Sequence, residues 1–276
     1  MTPPVISLEP LVSLAQRAGE AILQVYDRSD GDPAHGDPGV TWKEDRTPLT
    51  QADRASHRVI MDGLRELTPE IPIISEEGDA GEWGKISGDA LHWMVDPLDG
   101  TKEFLKRTGE FTVNIALIRD GSPVAGVVHA PVLERSWIGG VDGAEVRGAD
   151  GRERLRVRPA IPERLGVVAS RDHAGPRVTA LLASLSGPET LSMGSSLKFC
   201  LIAEGRADLY LRDGPTMEWD TGAAQAVLEA AGGGVYTLDG RPLRYGKKDR
   251  RNPHFVAVGD PALDWRAIVD DGREGT

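Results

Sequence analysis

Cysteine is almost absent from this chain, which has a single one, Cys200, among 276 residues. No disulfide can form within the chain, so a disulfide-built scaffold is excluded and a reducing compartment is favoured. Cys200 stands in the mostly apolar stretch 197–202. A buried thiol with a packing role is therefore expected there, rather than a catalytic one.

Long apolar runs and an excess of positive charge are also missing. No run approaches the ~20 residues that a membrane-spanning helix needs, and the first residues lack the basic and apolar regions of a signal peptide. The formal net charge is −11, which argues against a nucleic-acid or anionic-membrane surface. We therefore predict a cytoplasmic protein without nucleic-acid partners or a transmembrane segment; peripheral association with the inner membrane face stays open.

Hydrophobic spacing divides the chain into two parts. Apolar residues at helical spacing predict helices over 7–26 and 51–67. Beyond residues 158–162, strands alternate with helices, which is typical of an α/β layer. We predict an N-terminal α+β half, residues 1–160, and a C-terminal α/β half, residues 161–276. In the first half, apolar segments joined by short turns predict an antiparallel sheet, with strands over 91–95, 112–118, 124–129 and 136–139.

A short acidic motif, Asp96-Pro97-Leu98-Asp99-Gly100-Thr101, follows the apolar run 93–95, where a buried strand is expected to open into a loop. Pro97 fixes φ, and Gly100 allows a close backbone approach. Two carboxylates this close raise each other's pKa unless a cation lies between them, and hard oxygen ligands suit Mg²⁺. Thr101 adds a hydroxyl that could orient a water. An acidic turn at a strand end is the alternative.

Further carboxylates stand at predicted element ends. Asp53 can be a helix N-terminal acid, Glu76-Glu77 a solvated pair, and Asp220 a helix cap. Together with Asp96 and Asp99 they would repel one another without metal. A two-metal site for phosphoryl transfer uses such a set.

In this order, the acidic segments resemble the signature of the Mg²⁺-dependent, lithium-sensitive phosphatases. That superfamily includes inositol monophosphatases, fructose-1,6-bisphosphatases and 3′(2′),5′-bisphosphate nucleotidases. Segments 102–104, 109–117 and 194–200 resemble its bacterial CysQ-type nucleotidase branch. The resemblance runs from the first helix to about Val258 and implies a layered α-β-α-β-α sandwich of mixed α+β and α/β type.

The same resemblance implies an activity. The chain is expected to remove the 3′-phosphate of adenosine 3′,5′-bisphosphate, a small phosphorylated substrate, giving AMP and phosphate in sulfur assimilation. Action on 3′-phosphoadenylyl sulfate is implied as well, and an inositol or sugar monophosphatase is the alternative. The order of preference among these substrates stays open, as does a homodimer. Inhibition by millimolar Li⁺ is also implied.

Roles for single residues follow from the resemblance too. Glu76, Asp96 and the Leu98 carbonyl are expected to hold one Mg²⁺, and Asp96, Asp99 and Asp220 a second; a weaker third site at Glu76 stays open. Asp220 thus completes, from the second half, a site whose other metal ligands lie in the first. Thr101, paired with Asp53, is expected to orient the attacking water. The predicted catalytic residues are Asp53, Glu76, Asp96 and Thr101.

The substrate is expected at a strand-to-helix turn, residues 194–198, because free N–H groups at a helix start favour an anion. A Ser-capped helix without a ligand is the alternative. Lys198 would add a positive charge. A second loop, residues 170–173, could present Arg171 and His173 to a phosphate. The full set of predicted substrate contacts is Asp99, Gly100, Thr101, Gly194, Ser195, Ser196, Lys198 and Asp220.

Cations just beyond the motif, at Lys102, Lys106 and Arg107, either attract a substrate with more than one phosphate or belong to a solvated loop. Trp219 is expected to pack in the core. A phosphatase with an aspartyl nucleophile needs its second Asp two residues after the first, and position 98 is Leu, so that class is excluded. The intact acidic set argues against a non-catalytic metal- or nucleotide-binding regulator.

Overall fold

The computed structural model describes residues 7–28, 41–42, 48–83, 86, 90–169, 175–185 and 187–271. The predicted loop 170–173, residues 29–39 of the first loop and the last five residues lie outside these ranges. The helices are α1 (Glu9–Arg28), α2 (Gln51–Leu67), α3 (Ala80–Trp83), α4 (Thr101–Leu105), α5 (Pro176–Ser184), α6 (Leu197–Ala203), α7 (Gly222–Ala230) and α8 (Trp265–Asp271), with 3₁₀ turns at Pro162–Arg164 and Glu218–Asp220. The strands are β1 (Thr41–Trp42), β2 (Pro48–Leu49), β3 (Ile73–Ser75), β4 (His92–Asp99), β5 (Thr112–Arg119), β6 (Ser122–Ala130), β7 (Arg135–Gly140), β8 (Gly143–Gly148), β9 (Gly151–Leu155), β10 (Gly166–Ala169), β11 (Glu189–Ser192), β12 (Leu209–Arg212), β13 (Gly234–Thr237) and β14 (Phe255–Val258).

The first sheet has seven strands in chain order, β3 to β9. Strands β4 to β9 are antiparallel neighbours, which confirms the predicted antiparallel sheet. β3 lies parallel to β4 at one edge. Short turns join successive strands of this sheet. Between β5 and β6, for example, Asp120-Gly121 reverses the chain with both residues at positive φ.

The acidic motif departs from the sequence prediction in one respect. Residues 96–99 were expected in a loop, but they belong to β4 itself. Asp96 pairs with Asn114 and Asp99 with Thr112, so β4 has one residue more than β5 between these pairs. This β-bulge re-aims the strand where the acids leave it.

Helices α1 and α2 cover one face of the first sheet. Because successive side chains of a strand point to opposite faces, Trp93 and Val95 pack with Leu14, Ile22 and Ile60 of these helices. The amphipathic spacing that predicted both helices is thus the stripe that they bury.

Helices α6 and α7 pack between the two sheets. Met94 of β4 lies in the same core cluster as Cys200, Leu228 and Phe255. Cys200 is buried, as predicted. A side chain on Gly126 would come within 2.4 Å of a carbonyl of α7, and one on Gly139 within 2.5 Å of its backbone. These glycines let α7 lie directly against the first sheet, so that the start of α7 lies near the carboxyl end of β4.

The second sheet has five strands in the order β11-β10-β12-β14-β13. β10 is parallel to β11 and β12, and the other pairs are antiparallel. Helices α5 and α8 cover its outer face, where Leu181 and Trp265 pack with Leu209 and Val256. The layers therefore follow the order α-β-α-β-α, as expected. The first sheet ends at Leu155 and the second begins at Gly166; a division into two halves at residue 160 stays a prediction.

No helix in the described part of the chain is long and apolar enough to cross a membrane.

Candidate active site

Three carboxylates that are far apart in the sequence come together between the sheets. Glu76 follows β3, Asp96 lies in β4, and Asp220 ends the 3₁₀ turn before α7. One oxygen from each lies within 4.8 Å of the other two. Glu76 and Asp96 are brought together because Ser75 pairs with Val95 in the parallel β3–β4 contact, while the position of α7 brings in Asp220. This group is called the carboxylate trio below.

The backbone around Asp96 is fixed by its own hydrogen bonds. The Leu98 N–H donates to Asp96 Oδ1 at 3.0 Å. Gly100 then turns the chain at φ 92°, where a side chain would lie 3.2 Å from both Ser195 and Glu103. Only glycine combines this left-handed conformation with so close an approach. The turn places Thr101 at the first position of α4.

The electrostatics of the trio are those of an acidic site that needs a cation. Asp96 is buried, and burial together with the charges of Glu76, Asp99, Asp220 and Asp53 holds its pKa well above the usual range. Burial and the charges of Asp99 and Glu76 raise the pKa of Asp220 likewise. All donors are hard oxygens, and Leu98 lines the same cavity. This donor set fits Mg²⁺.

Asp99 faces a different partner. Its Oδ2 accepts from the Ser196 N–H at 2.7 Å and from the Ser196 hydroxyl at 2.8 Å. Asn114 Nδ2 lies 3.3 Å from the same oxygen. Ser196 Oγ is also 2.7 Å from the Asp220 carbonyl; with one proton, it donates to one of these acceptors at a time. The start of α6 therefore already holds an anion, the carboxylate of Asp99.

The turn before α6 is held by a second acid as well. The Gly194 N–H donates to Glu110 Oε2 at 2.8 Å. Ser195 has a φ of 42°, and its hydroxyl lies 3.3 Å from that of Thr112. Ser196 occupies the N-cap position but makes no side-chain cap. Two N–H groups expected to face the substrate thus donate to carboxylates of the chain, and the predicted alternative of a Ser-capped helix is wrong.

A cavity of about 280 Å³ opens beside the trio. Predicted site residues line it, among them Gly100, Thr101, Ser195 and Lys198, whereas Gly194 and Ser196 are not in its lining. The other lining residues include Lys102, Glu103, Phe199, Tyr210, Arg212, Thr216, Thr221 and Phe255. A larger cavity, of about 910 Å³, lies by the end of α7 and contains none of the predicted site residues.

Besides Lys102, two further cations, Lys198 and Arg212, line the cavity beside the trio. Lys198 is buried, its Nζ lies 3.3 Å from the Met193 carbonyl and 5.6 Å from the centre of the Tyr210 ring, and burial lowers its pKa to about 8. Arg212 donates from Nη2 to the Pro215 carbonyl at 3.0 Å. Its Nε is buried and has no hydrogen-bond partner among the described residues. The sequence pattern predicted Lys198 at the site but not Arg212, although a charge at the end of an apolar strand was a visible signal.

A model of the inositol monophosphatase family matches residues 7–262. The chain belongs to this family. It is 48% identical over 249 residues to a protein of Escherichia coli O157:H7 named 3′(2′),5′-bisphosphate nucleotidase CysQ, covering 90% of this chain and 98% of that one. The protein of that name from Salmonella typhimurium is 47% identical over the same shares.

Solved structures agree with this placement. The crystal structure of CysQ from Bacteroides thetaiotaomicron, described as a bacterial member of the inositol monophosphatase family, gives a TM-score of 0.77 at 38% identity, covering 91% of this chain and 96% of that one. An inositol monophosphatase of Thermotoga maritima gives 0.76 at 24% identity, covering 97% of this chain and 96% of that one, which shows the shared fold alone. Members of the inositol monophosphatase family generally depend on Mg²⁺, and the carboxylate trio supplies the acidic cluster.

Asp53 stabilises the start of α2. It is buried at the third position of α2, and its Oδ2 accepts from the Thr50 N–H at 2.8 Å and from the Thr50 hydroxyl at 2.5 Å. Thr50 in turn accepts from the Asp53 N–H, which completes a capping box. This is the helix N-terminal role left open by the sequence; pairing of Asp53 with Thr101 stays a prediction.

Asp220 does not cap α7. Thr221 is the N-cap residue of that helix, and the Asp220 carboxylate accepts instead from the Met217 N–H at 2.9 Å. The helix-cap prediction was wrong because α7 begins at Gly222. Asp220 is the last residue of the preceding 3₁₀ turn, and its carboxylate accepts from the residue before that turn. Trp219 is buried and packs on Trp83, with 5.1 Å between ring centres, which confirms core packing.

The cations after the motif have separate surroundings. Lys102 lines the cavity. Arg107 instead donates to the Tyr26 carbonyl at 2.8 Å and stacks over the Tyr26 ring at 3.9 Å. Arg107 therefore ties the end of α4 to α1, and its exposed side chain fits the solvated-loop alternative.

Proposed function

We propose that this chain is a Mg²⁺-dependent phosphatase that removes the 3′-phosphate of adenosine 3′,5′-bisphosphate, giving AMP and phosphate. The proposal rests on the carboxylate trio and on the cavity beside it, which Lys198 and Arg212 line. The trio suits a metal-assisted reaction at phosphorus, and these two cations suit a second phosphate. The 48% identity to a 3′(2′),5′-bisphosphate nucleotidase supports it. 3′-Phosphoadenylyl sulfate is the further substrate that we propose. The proposal includes a cytoplasmic location and a role in sulfur assimilation; a homodimer stays a prediction.

We infer that two Mg²⁺ ions bind, with Glu76 as a contributor to a weaker third site. Glu76, Asp96 and the Leu98 carbonyl would hold one, and Asp96, Asp99 and Asp220 the other. When bound, the ions neutralise the acids and polarise the phosphoryl oxygens. Asp99 has Oδ2 engaged by Ser196, so its Oδ1 is the oxygen left for this purpose.

The proton chemistry falls to Thr101 and Asp53. Thr101 faces the cavity from the first turn of α4, where its hydroxyl oxygen can orient the attacking water by accepting a hydrogen bond from it. The hydroxyl's own proton needs an acceptor. We assign this role to the Asp53 carboxylate, as the resemblance implies.

The second phosphate is assigned to the cation pair. Lys198 and Arg212 both line the cavity. The Nε of Arg212 has no hydrogen-bond partner in the described part of the chain and is a donor that a phosphate oxygen would satisfy. Charge-assisted hydrogen bonds of this kind are stronger than neutral ones. An inositol or sugar monophosphate offers one phosphate and would leave these cations without an anion.

Phosphate release from adenosine 3′,5′-bisphosphate and from inositol 1-phosphate, each with Mg²⁺ and with EDTA, tests the proposal. We expect a metal-dependent preference for the bisphosphate. A preference for inositol phosphate would leave the metal site as argued and move the function to the monophosphatase alternative. No turnover of either would revive the non-catalytic regulator. The Asp96→Asn variant, prepared in parallel, excludes a contaminating phosphatase.

A further inference from the structure

Ser56 makes an unusual contact for a serine inside a helix. It lies in α2 and is fully buried. Helical serines commonly return their proton to a carbonyl of the preceding turn. The Ser56 hydroxyl instead leaves its helix and donates to the Pro97 carbonyl at 2.6 Å, 41 residues along the chain.

The carbonyl that Ser56 reaches belongs to the bulge of β4. Between the pairs that Asp96 and Asp99 form with β5, the residues Pro97 and Leu98 have no ladder partners of their own in the β4–β5 register. The peptide that joins them is nevertheless bonded at both ends. Its oxygen accepts from Ser56, and its N–H donates to Asp96 Oδ1 at 3.0 Å.

This double bonding links α2 to the trio. The Leu98 N–H occupies one oxygen of Asp96 and leaves the other for a metal. If the peptide rotates, the N–H moves off Asp96 and the following Leu98 carbonyl changes direction. The next residue of α2, His57, contacts the adjoining strand β3. Its Nδ1 lies 2.9 Å from the hydroxyl of Ser75, the residue before Glu76.

We propose that Ser56 is a positioning residue for the metal site: by holding the Pro97 carbonyl, it fixes the peptide that orients the Asp96 carboxylate and the Leu98 carbonyl. The role rests on the proposed function, in which these two groups are Mg²⁺ ligands. Residues that orient metal ligands by hydrogen bonding typically contribute 10- to 100-fold to metal affinity or activity.

The test is a calorimetric Mg²⁺ titration of the full chain, which needs no turnover. Ser56→Ala is expected to bind Mg²⁺ about tenfold more weakly than the wild type or worse. Ser56→Thr keeps the hydroxyl and is expected to recover most of that affinity. Ser136→Ala is the matched control: Ser136 is equally buried, and its hydroxyl bonds His129 at 2.9 Å in the first sheet. It should retain wild-type affinity.

The kinetic counterpart separates positioning from general damage. For Ser56→Ala, the Mg²⁺ concentration that gives half-maximal rate should rise about tenfold, whereas KM for the bisphosphate at saturating Mg²⁺ should stay near the wild-type value. If the alanine variant does not fold, Ser56→Cys, which keeps the size and offers a weaker donor, is expected to show a smaller loss of affinity in the same direction.

The proposal is overturned if Ser56→Ala, or Ser56→Cys where alanine does not fold, binds Mg²⁺ as the wild type does. It is also overturned if Ser136→Ala loses as much affinity. A wild-type chain that binds no Mg²⁺ removes both the metal site and this role. One that binds Mg²⁺ but does not hydrolyse adenosine bisphosphate removes the proposed function and leaves the positioning test intact.

Discussion

Ser196 presents two donors to Asp99 Oδ2, its backbone N–H at 2.7 Å and its hydroxyl at 2.8 Å. Asp99 ends β4 of the first sheet, and Ser196 begins the segment that becomes α6 between the sheets. N–H groups at the start of a helix favour an anion, and here the anion is a proposed metal ligand. A change at the substrate turn therefore reaches the metal site through one contact.

Replacing Asp96 by Asn should separate folding from metal binding. Burial and neighbouring acids raise the pKa of Asp96, so a neutral side chain of the same shape relieves repulsion. In EDTA the variant should melt no lower than the wild type. Stabilisation by added Mg²⁺, which grows with the logarithm of its concentration over Kd, should be lost, and phosphate release should fall by at least about 100-fold.

Thermal melts with EDTA and with Mg²⁺, together with the phosphate assay, measure these outcomes. Asp62→Asn is a suitable control, because Asp62 is an exposed acid on α2. It should change neither the melting temperature nor its response to Mg²⁺. An Asp96→Asn protein with the full Mg²⁺ response would contradict the assignment of Asp96 as a ligand.

Replacing Lys198 by Ala should weaken binding more than turnover. The Lys198 side chain lines the cavity and is not a proposed metal ligand. A charge-assisted hydrogen bond from it to a phosphate is worth about 1.5–3 kcal/mol. KM for adenosine 3′,5′-bisphosphate should therefore rise roughly 10- to 100-fold, with kcat changed little. Steady-state kinetics at saturating Mg²⁺ provide the test; a variant that loses kcat at an unchanged KM would place Lys198 in the chemical step.

The pH dependence of KM follows from the burial of Lys198. Burial lowers its pKa to about 8, so the cation is present below that pH and is lost above it. kcat/KM, which reports the free enzyme, should fall as the pH rises past 8. Lys198→Arg keeps its charge at every such pH and should show a flatter profile. Identical profiles for the two proteins would mean that the decline comes from another group.

The sequence predicted those parts of the site that local chemistry encodes. The motif that contains Asp96 and Gly100 combines two acids with residues of restricted or permissive backbone, and its position after an apolar strand follows from hydrophobic patterning. The order of layers follows from where strand patterns change to helix patterns. Such features lie within a few residues of one another.

What the sequence could not predict depends on contacts between distant segments. The Ser56–Pro97 hydrogen bond spans 41 residues and exists only because of a bulge in β4. Arg212 faces the same cavity as Lys198 because β12 ends beside α6. The anion at the start of α6 was expected to be the substrate, yet it is Asp99. Each depends on register and packing, which composition and spacing do not specify.

Neutralising Glu218 should substantially lower the free energy of unfolding of the protein. Glu218 is fully buried between Lys247 at 2.7 Å and Arg250 at 3.1 Å, and Arg250 is itself buried. Glu218→Gln leaves the guanidinium without its counter-charge, which typically costs about 3–5 kcal/mol. Urea denaturation of both proteins measures the difference.

The exposed pair of Asp239 and Arg241 serves as the comparison for Glu218. Because surface ion pairs contribute little to stability, Asp239→Asn should leave the urea midpoint close to that of the wild type. Equal effects of the two substitutions would show that the buried pair adds nothing beyond a surface contact.

Acid should destabilise the protein through His129. Burial lowers the pKa of this histidine from 6.5 to about 4, so between these values the unfolded chain binds a proton that the folded chain does not. Stability therefore falls as the pH drops from 6.5 towards 4, by up to about 3 kcal/mol from this group when fully expressed. His129→Gln removes the titration and should show a shallower decline in urea denaturation over the same range. Because burial also lowers the pKa of His57 and of His92, some decline should persist in the variant. An unchanged slope would contradict the contribution of His129.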